Sequence, residues 1–177
     1  MMGKSVGRLG VAIFCLCVCA SAALAQDRIK VAVGGQRGVG ETFSPEIGQK
    51  AGIFRKHGLE LDVFYTDSSG ETMQTIISRS AQIGVATGLA GTMGSFSKGA
   101  PVRVIGASFT GGSQLYWYVR ADSPIRSVRD AEGKTVSYSS TGSSVHAAVL
   151  ALMKFSGVNM KPTPTGSSPV TFAAVLS

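Results

Sequence analysis

Cysteine is almost missing from this chain. Only three occur, Cys15, Cys17 and Cys19, all close to the N-terminus. The rest of the chain has no thiol, which excludes a disulfide framework, a thiol nucleophile and a cysteine-ligated metal there. Charge is sparse as well: 15% of residues are charged against 44% hydrophobic. That balance excludes an intrinsically disordered chain. No run of four basic residues occurs, and the densest basic cluster is Arg55 and Lys56 beside His57. A nucleic-acid footprint would concentrate its cations on one face, so no nucleic-acid partner is expected. Histidine is limited to His57 and His146, with no partner at ligand spacing, so neither a metal site nor a cofactor is expected. Neither G-x-x-x-x-G-K-[ST] nor G-x-S-x-G occurs, and Gly34-Gly35-Gln36-Arg37-Gly38-Val39-Gly40 misses the dinucleotide spacing. Ser143 and His146 stand three apart on one predicted helix, which is not a hydrolase arrangement. The 23 glycines have no three-residue period, so the chain is not collagen-like.

What is present begins at the N-terminus. Lys4 and Arg8 precede an apolar run over residues 9–20, and small residues follow at Ala23 and Ala25. This three-part order is that of a secretory signal peptide, with cleavage expected between Ala25 and Gln26. A lipoprotein signal needs a small residue before its cysteine, but Phe14, Leu16 and Val18 stand there. Without Lys4 and Arg8 the formal net charge of +7 falls by two, to +5. The mild positive balance suits a small anionic ligand.

From residue 29 the pattern alternates between strand and helix. Strands are expected at 29–33, 59–65, 82–86, 101–109, 114–120 and 134–139. Ser44-Pro45-Glu46 reads as a helix start with Ser44 as N-cap, and Gly58 as the left-handed stop of the following turn. Ser68 and Glu71 fit a capping box. Further helices are expected over 90–98, 145–155 and 170–176, with Gly157 ending the second of these. Residues 161–168, rich in Pro, Thr, Gly and Ser, read as a loop. The last helix meets no stop signal before Ser177, which reads as a truncated C-terminus. Strands alternating with helices imply mostly parallel sheets flanked by helices.

The chemistry falls in small-residue loops after the strands: Gly35-Gln36-Arg37, Ser69-Gly70, Thr87-Gly88 and Thr141-Gly142-Ser143-Ser144. In an open α/β sheet such loops line the ligand crevice. Glycine lets the backbone come close, while hydroxyls and free N–H groups at a helix start favour an anion. A serine or threonine there is in the first instance only a cap. Thr141 to Ser144 offer more small donors than a cap needs. His146, one turn into the helix, could line the crevice or simply pack. Arg37 could balance a ligand acid or lie exposed in its loop. Tyr116, Trp117 and Tyr118 could stack on a ligand, but alternation puts Trp117 on the opposite face from its neighbours, so ordinary strand packing is the default.

These segments together resemble a family. They are Ala51-Gly52-Ile53-Phe54-Arg55-Lys56-His57-Gly58-Leu59, Ser69-Gly70, Ala81 to Ala86, Lys98 to Ile105, Arg120 to Ile125, Gly133-Lys134-Thr135-Val136 and Gly142 to His146. The order is similar to that of the substrate-binding proteins of nitrate, sulfonate and taurine ABC importers, whose fold is shared with thiamine-pyrimidine synthases. The resemblance implies a two-lobed, type II periplasmic-binding-protein-like α/β fold. Residues 26–119 would form the first lobe and 120–177 an incomplete second lobe, after a signal peptide over 1–25. It implies a monomeric periplasmic receptor without catalysis, delivering a small molecule to a membrane permease. The inter-lobe contacts would come from Gly35, Gln36, Arg37, Ser69, Gly70, Thr87, Gly88, Thr110, Gly111, Thr141, Gly142, Ser143, Ser144 and His146. The alternatives are a synthase of the same fold and a non-functional remnant.

Overall fold

A computed structural model describes residues 26–35, 37, 40–108 and 115–177. The signal segment, Gln36, Thr110 and Gly111 lie outside the described residues. In chain order the elements are β1 (Asp27–Gly34), α1 (Ser44–Lys50), β2 (Leu59–Thr66), α2 (Ser69–Ile77), β3 (Ile83–Val85) and α3 (Leu89–Ser97). After residue 108 come β4 (Thr135–Tyr138), α4 (Ser144–Ser156), β5 (Lys161–Pro164) and α5 (Ser168–Leu176). Three short 3-10 turns also occur among the described residues, Gly40–Phe43, Arg55–His57 and Val128–Ala131. Two parallel sheets result, one in the order β2-β1-β3 and the other pairing β4 with β5. The expected α/β class, parallel sheets flanked by helices, is therefore what the chain forms.

The register of the larger sheet places Val31 opposite Val63 and Ile83, with β1 in the centre. A central parallel strand is covered on both faces, so it reads as a continuous apolar run. Val31, Ala32 and Val33 accordingly are at most 2% exposed. Val31, Val33 and Leu61 form the core, flanked by Ile29, Phe54, Val63, Tyr65, Ile83 and Val85. Glutamines finish the ladders at the edges. Gln49 of α1 donates to the Leu61 carbonyl at 2.9 Å and accepts from the Leu61 N–H at 2.7 Å. Gln82 accepts from the Lys30 N–H at 2.8 Å through its side chain and donates to the Lys30 carbonyl through its backbone.

Local signals behave as their chemistry dictates, with four corrections. Gly58 and Gly157 end their turns in the left-handed conformation, each at φ 70°. Ser68 caps α2, accepting from the Glu71 N–H at 3.3 Å. The return half of the box is displaced by one residue, because the Glu71 carboxylate accepts from Asp67 N–H. Ser44 is the first helical residue, not the cap: the preceding 3-10 turn leads straight in, with Phe43 already helical and no side-chain cap. Residues 101–108 and 115–120 form no strand. Their alternation supplies one side of a ladder, and no strand lies beside them among the described residues. Conversely, β5 occupies the stretch read as a loop. Pro162 and Pro164 lack N–H groups, but the bonds to β4 come from Lys161 and Thr165, which donate to Lys134 and Tyr138 at 2.8 Å each. The prolines face the unpaired side, where edge strands tolerate them.

Candidate functional site

Three loops leave the carboxyl ends of β2, β3 and β4 and enter α2, α3 and α4. They meet around a cleft of about 130 Å³. Its wall carries Ser69 and Gly70 from α2, Gly88 and Gly91 from α3, and Thr141 and Gly142 from the loop before α4. Met73, Gln74 and Ser95 complete it. No charged side chain is among them. The lining is hydroxyl, amide and backbone with one thioether.

Close backbone approach holds the loops together. The Gly91 N–H donates to the Gly142 carbonyl at 3.0 Å, so α3, which has no side-chain cap, borrows one from the 140–143 loop. A Cβ at Gly88 would overlap the Gly142 carbonyl, and one at Gly142 would stand 2.7 Å from Gly91 Cα. Gly142 also has φ +85°, which side chains resist. The Gly70 N–H donates to Ser140 Oγ at 3.3 Å, a second tie between α2 and the same loop. On the first sheet, Thr66 and Thr72 share a hydroxyl–hydroxyl bond of 2.6 Å, and Thr72 Oγ1 also donates to the Ser68 carbonyl at 3.1 Å. Gly34 is required beside them, since a Cβ there would lie 2.7 Å from Thr72 Oγ1. Ala86, at φ 59°, is a non-glycine in left-handed backbone, a conformation costing on the order of 1 kcal/mol. It turns its carbonyl to accept from Ser69 Oγ at 3.3 Å.

Of the residues singled out from sequence, Ser69, Gly70, Gly88, Thr141 and Gly142 come together on this wall. Others do not reach it. Ser143 is 2% exposed and caps α4, accepting from the His146 N–H at 3.1 Å. Ser144 is the exposed first residue of that helix, and Thr87 precedes the Gly88 contact without lining the cleft. His146 accepts from the Gly142 N–H through Nδ1 at 3.2 Å, and its ring stacks on Tyr138 at 4.4 Å. It fixes the loop and leaves the wall to Thr141 and Gly142. Gly35 donates its N–H to the Thr66 carbonyl and sits beyond β1. Arg37 pairs with Glu46 at 2.6 Å and lies 5.4 Å over the Tyr65 ring. Burial and the neighbouring Glu46 push the Tyr65 hydroxyl above its ordinary pKa, and Arg37 partly offsets this. Arg37 is thus engaged at the edge of the sheet and away from the cleft.

Sequence reasoning missed Met73, Gln74, Gly91 and Ser95. The signal was available. Gly88, Gly91 and Ser95 recur at helical spacing, and Ser69, Met73 and Gln74 do likewise on α2, so each set shares one face. Among the described residues no three His, Cys, Asp or Glu side chains gather into a metal-binding group, and no helix is long and apolar enough to cross a membrane.

The parallel sheets with helices on their faces, and the cleft at the strand ends, define a partial periplasmic-binding-protein-like fold. Residues 47–166 match the NMT1/THI5-like family, and the chain belongs to it. That family includes the substrate-binding proteins of ABC importers and also synthases. A solved protein from Bordetella bronchiseptica RB50 has the same fold, with a TM-score of 0.58 at 16% identity over 85% of this chain. The chain spans about half of that protein, 48% of its length. No curated protein matches the sequence.

Proposed function

We propose that this chain is the ligand-binding part of an extracytoplasmic receptor that delivers a small anionic or polar organic molecule to an ABC permease. One observation carries the reading: three loops at strand carboxyl ends bring the N-terminal turns of α2 and α3, the 141–142 segment before α4 and the Ser69 and Thr141 hydroxyls to a single uncharged cleft. A helix N-terminus favours an anion by about 0.3–1 kcal/mol at a surface, and up to about 2 when partly buried. Micromolar affinity needs about 8 kcal/mol, so several termini and hydroxyls must act together. A nitrate, a short sulfonate, taurine or a small pyrimidine is of the right size and polarity. The lobes are residues 26–119 and 120–177, and the 140–143 loop is where the second meets the first. Binding between them favours the closed form, which the permease reads. The basic start, apolar run and Ala25 boundary in the sequence support a periplasmic location after cleavage.

The synthase reading draws support from the family; by that resemblance such an enzyme would hold iron through histidine and cysteine ligands, and among the described residues no three His, Cys, Asp or Glu side chains gather. A thermal-shift screen with nitrate, taurine, ethanesulfonate and an aminopyrimidine separates the readings. A raised melting temperature with one of them supports the receptor. Turnover of a pyrimidine precursor by the iron-loaded chain would overturn it. With the ligand so found, Thr141→Val is expected to weaken binding about fivefold in calorimetry, the value of one hydrogen bond of about 1 kcal/mol. Ser143→Ala should instead cost about 1 kcal/mol of stability, as a lost cap, and leave affinity near its starting value.

A further inference from the structure

We propose that Gln26 becomes the amino terminus of the exported chain and closes to a pyroglutamyl lactam, giving the protein a blocked, uncharged N-terminus. The inference rests on the export reading above, because cleavage after Ala25 is what frees the α-amine of Gln26. The fold then decides what surrounds that amine. Gln26 is exposed, and its side-chain amide has no hydrogen-bond partner among the described residues. It borders a cleft of about 210 Å³ that it shares with Gln49, Phe54, Arg55, Leu59 and Glu60. Two neighbours that could engage its amide are bonded elsewhere: Gln49 at both ends to Leu61, and Glu60 through Oε1 to Arg28 at 3.1 Å. The next residue, Asp27, is already fixed, its N–H donating to the Gly58 carbonyl at 2.8 Å. The new terminus is therefore a single free residue next to a pinned strand, with room for a five-membered ring.

In the step itself the α-amine nitrogen forms a bond to Cδ and the bond from Cδ to Nε2 breaks. One amine proton goes with the departing nitrogen, which leaves as ammonia, and nothing is oxidised or reduced. The lactam removes a positive charge from a cleft that already holds Arg55. It also protects the sheet. An aminopeptidase that took Gln26 would next reach Asp27, the first residue of the central strand β1.

The test uses the full chain, expressed with its own leader in a Gram-negative host and recovered from the periplasm. The N-terminal peptide is weighed and subjected to Edman degradation. The expected peptide begins at position 26, is lighter by one ammonia, and is unreadable until pyroglutamyl peptidase removes the first residue. Gln26→Ala should give an unblocked chain whose sequence reads directly. A peptide beginning at Gln26 with a free amine and full mass overturns the lactam alone. A peptide beginning elsewhere overturns the cleavage reading and the lactam with it. A synthetic peptide with N-terminal glutamine is carried through the same work-up, and equal conversion there would overturn closure in the folded protein.

Discussion

In the three-stranded sheet, Val31, Ala32 and Val33 are at most 2% exposed, and the core continues into Leu61 and Met73. In and around the two-stranded sheet the buried apolar residues are Tyr138 on β4, Val149 on α4, and Val158 and Met160 before β5, while Phe155 on α4 is 93% exposed and α5 buries no residue. Both regions use the same parallel pairing and the same strand-loop-helix order. What differs is the number of strands. A central strand can be covered on both faces and paired at both edges, and β1 is such a strand. With two strands every strand is an edge, and two strands alone are marginally stable in water. The cleft is shared between a deeply buried region and a shallow one. Its second wall, Thr141 and Gly142, is only as firm as the contacts that press it onto α2 and α3.

Hydrogen exchange should show the largest contrast. The amides of residues 31–33 should exchange at the rate of global unfolding. Those of residues 135–138 and of Lys161 and Thr163 should exchange at least about a hundredfold faster, a gap of ~3 kcal/mol. Equal protection would mean that the two sheets unfold as one unit and would break the comparison.

That contrast also explains how much of the molecule the sequence discloses. β1, β2 and β3 are legible because their apolar runs and flanking caps agree with their final burial. β5 is hidden, since two prolines in four residues argue against a strand unless one knows which edge is paired. Residues 101–108 and 115–120 err in the opposite direction. Ile105 and Tyr116 have strand chemistry but are 83% and 79% exposed, because a strand needs a neighbour that local pattern cannot supply. For the cleft, the loops after β2, β3 and β4 follow from the strand-helix order alone. The helix faces behind them are only half legible: the helical spacing of Gly88, Gly91 and Ser95 puts them on one face, but which face meets the cleft is set by the approach of Gly142. Ser143 and His146 carry the right chemistry in the right loop, yet capping and stacking consume both.

The seam between the regions gives the next largest effect. Gly142→Ala combines a left-handed backbone with a Cβ 2.7 Å from Gly91 Cα. It should cost about 2–4 kcal/mol in urea unfolding and should raise exchange of the 140–143 loop. Gly94→Ala, in the same helix as Gly91 but with nothing within 4 Å of the new Cβ, should stabilise by about 0.5–1 kcal/mol. If Gly142→Ala were as harmless as Gly94→Ala, the second region would not bear on the first where the cleft forms.

Acid gives the smallest effect and the sharpest localisation. Hydrogen bonds from the Arg126 N–H and from the Ser127 hydroxyl and N–H hold the Asp130 carboxyl below its usual range. The Arg120 guanidinium does the same for Asp122. Both groups are in the second region. A carboxyl depressed in the folded state contributes stability above its unfolded pKa, and that contribution is lost as pH falls through the folded one. Both are fully exposed, so the loss is small and screened by salt. Below about pH 4, where unperturbed carboxylates begin to protonate, exchange should therefore accelerate in residues 120–138 before it does in β1. Asp130→Asn should remove most of the pH dependence of the 126–131 turn. The order of opening carries the meaning. If β1 opened first in acid, the shallow region would be protecting the deep one, and the cleft would owe its second wall to something other than the seam at Gly91 and Gly142.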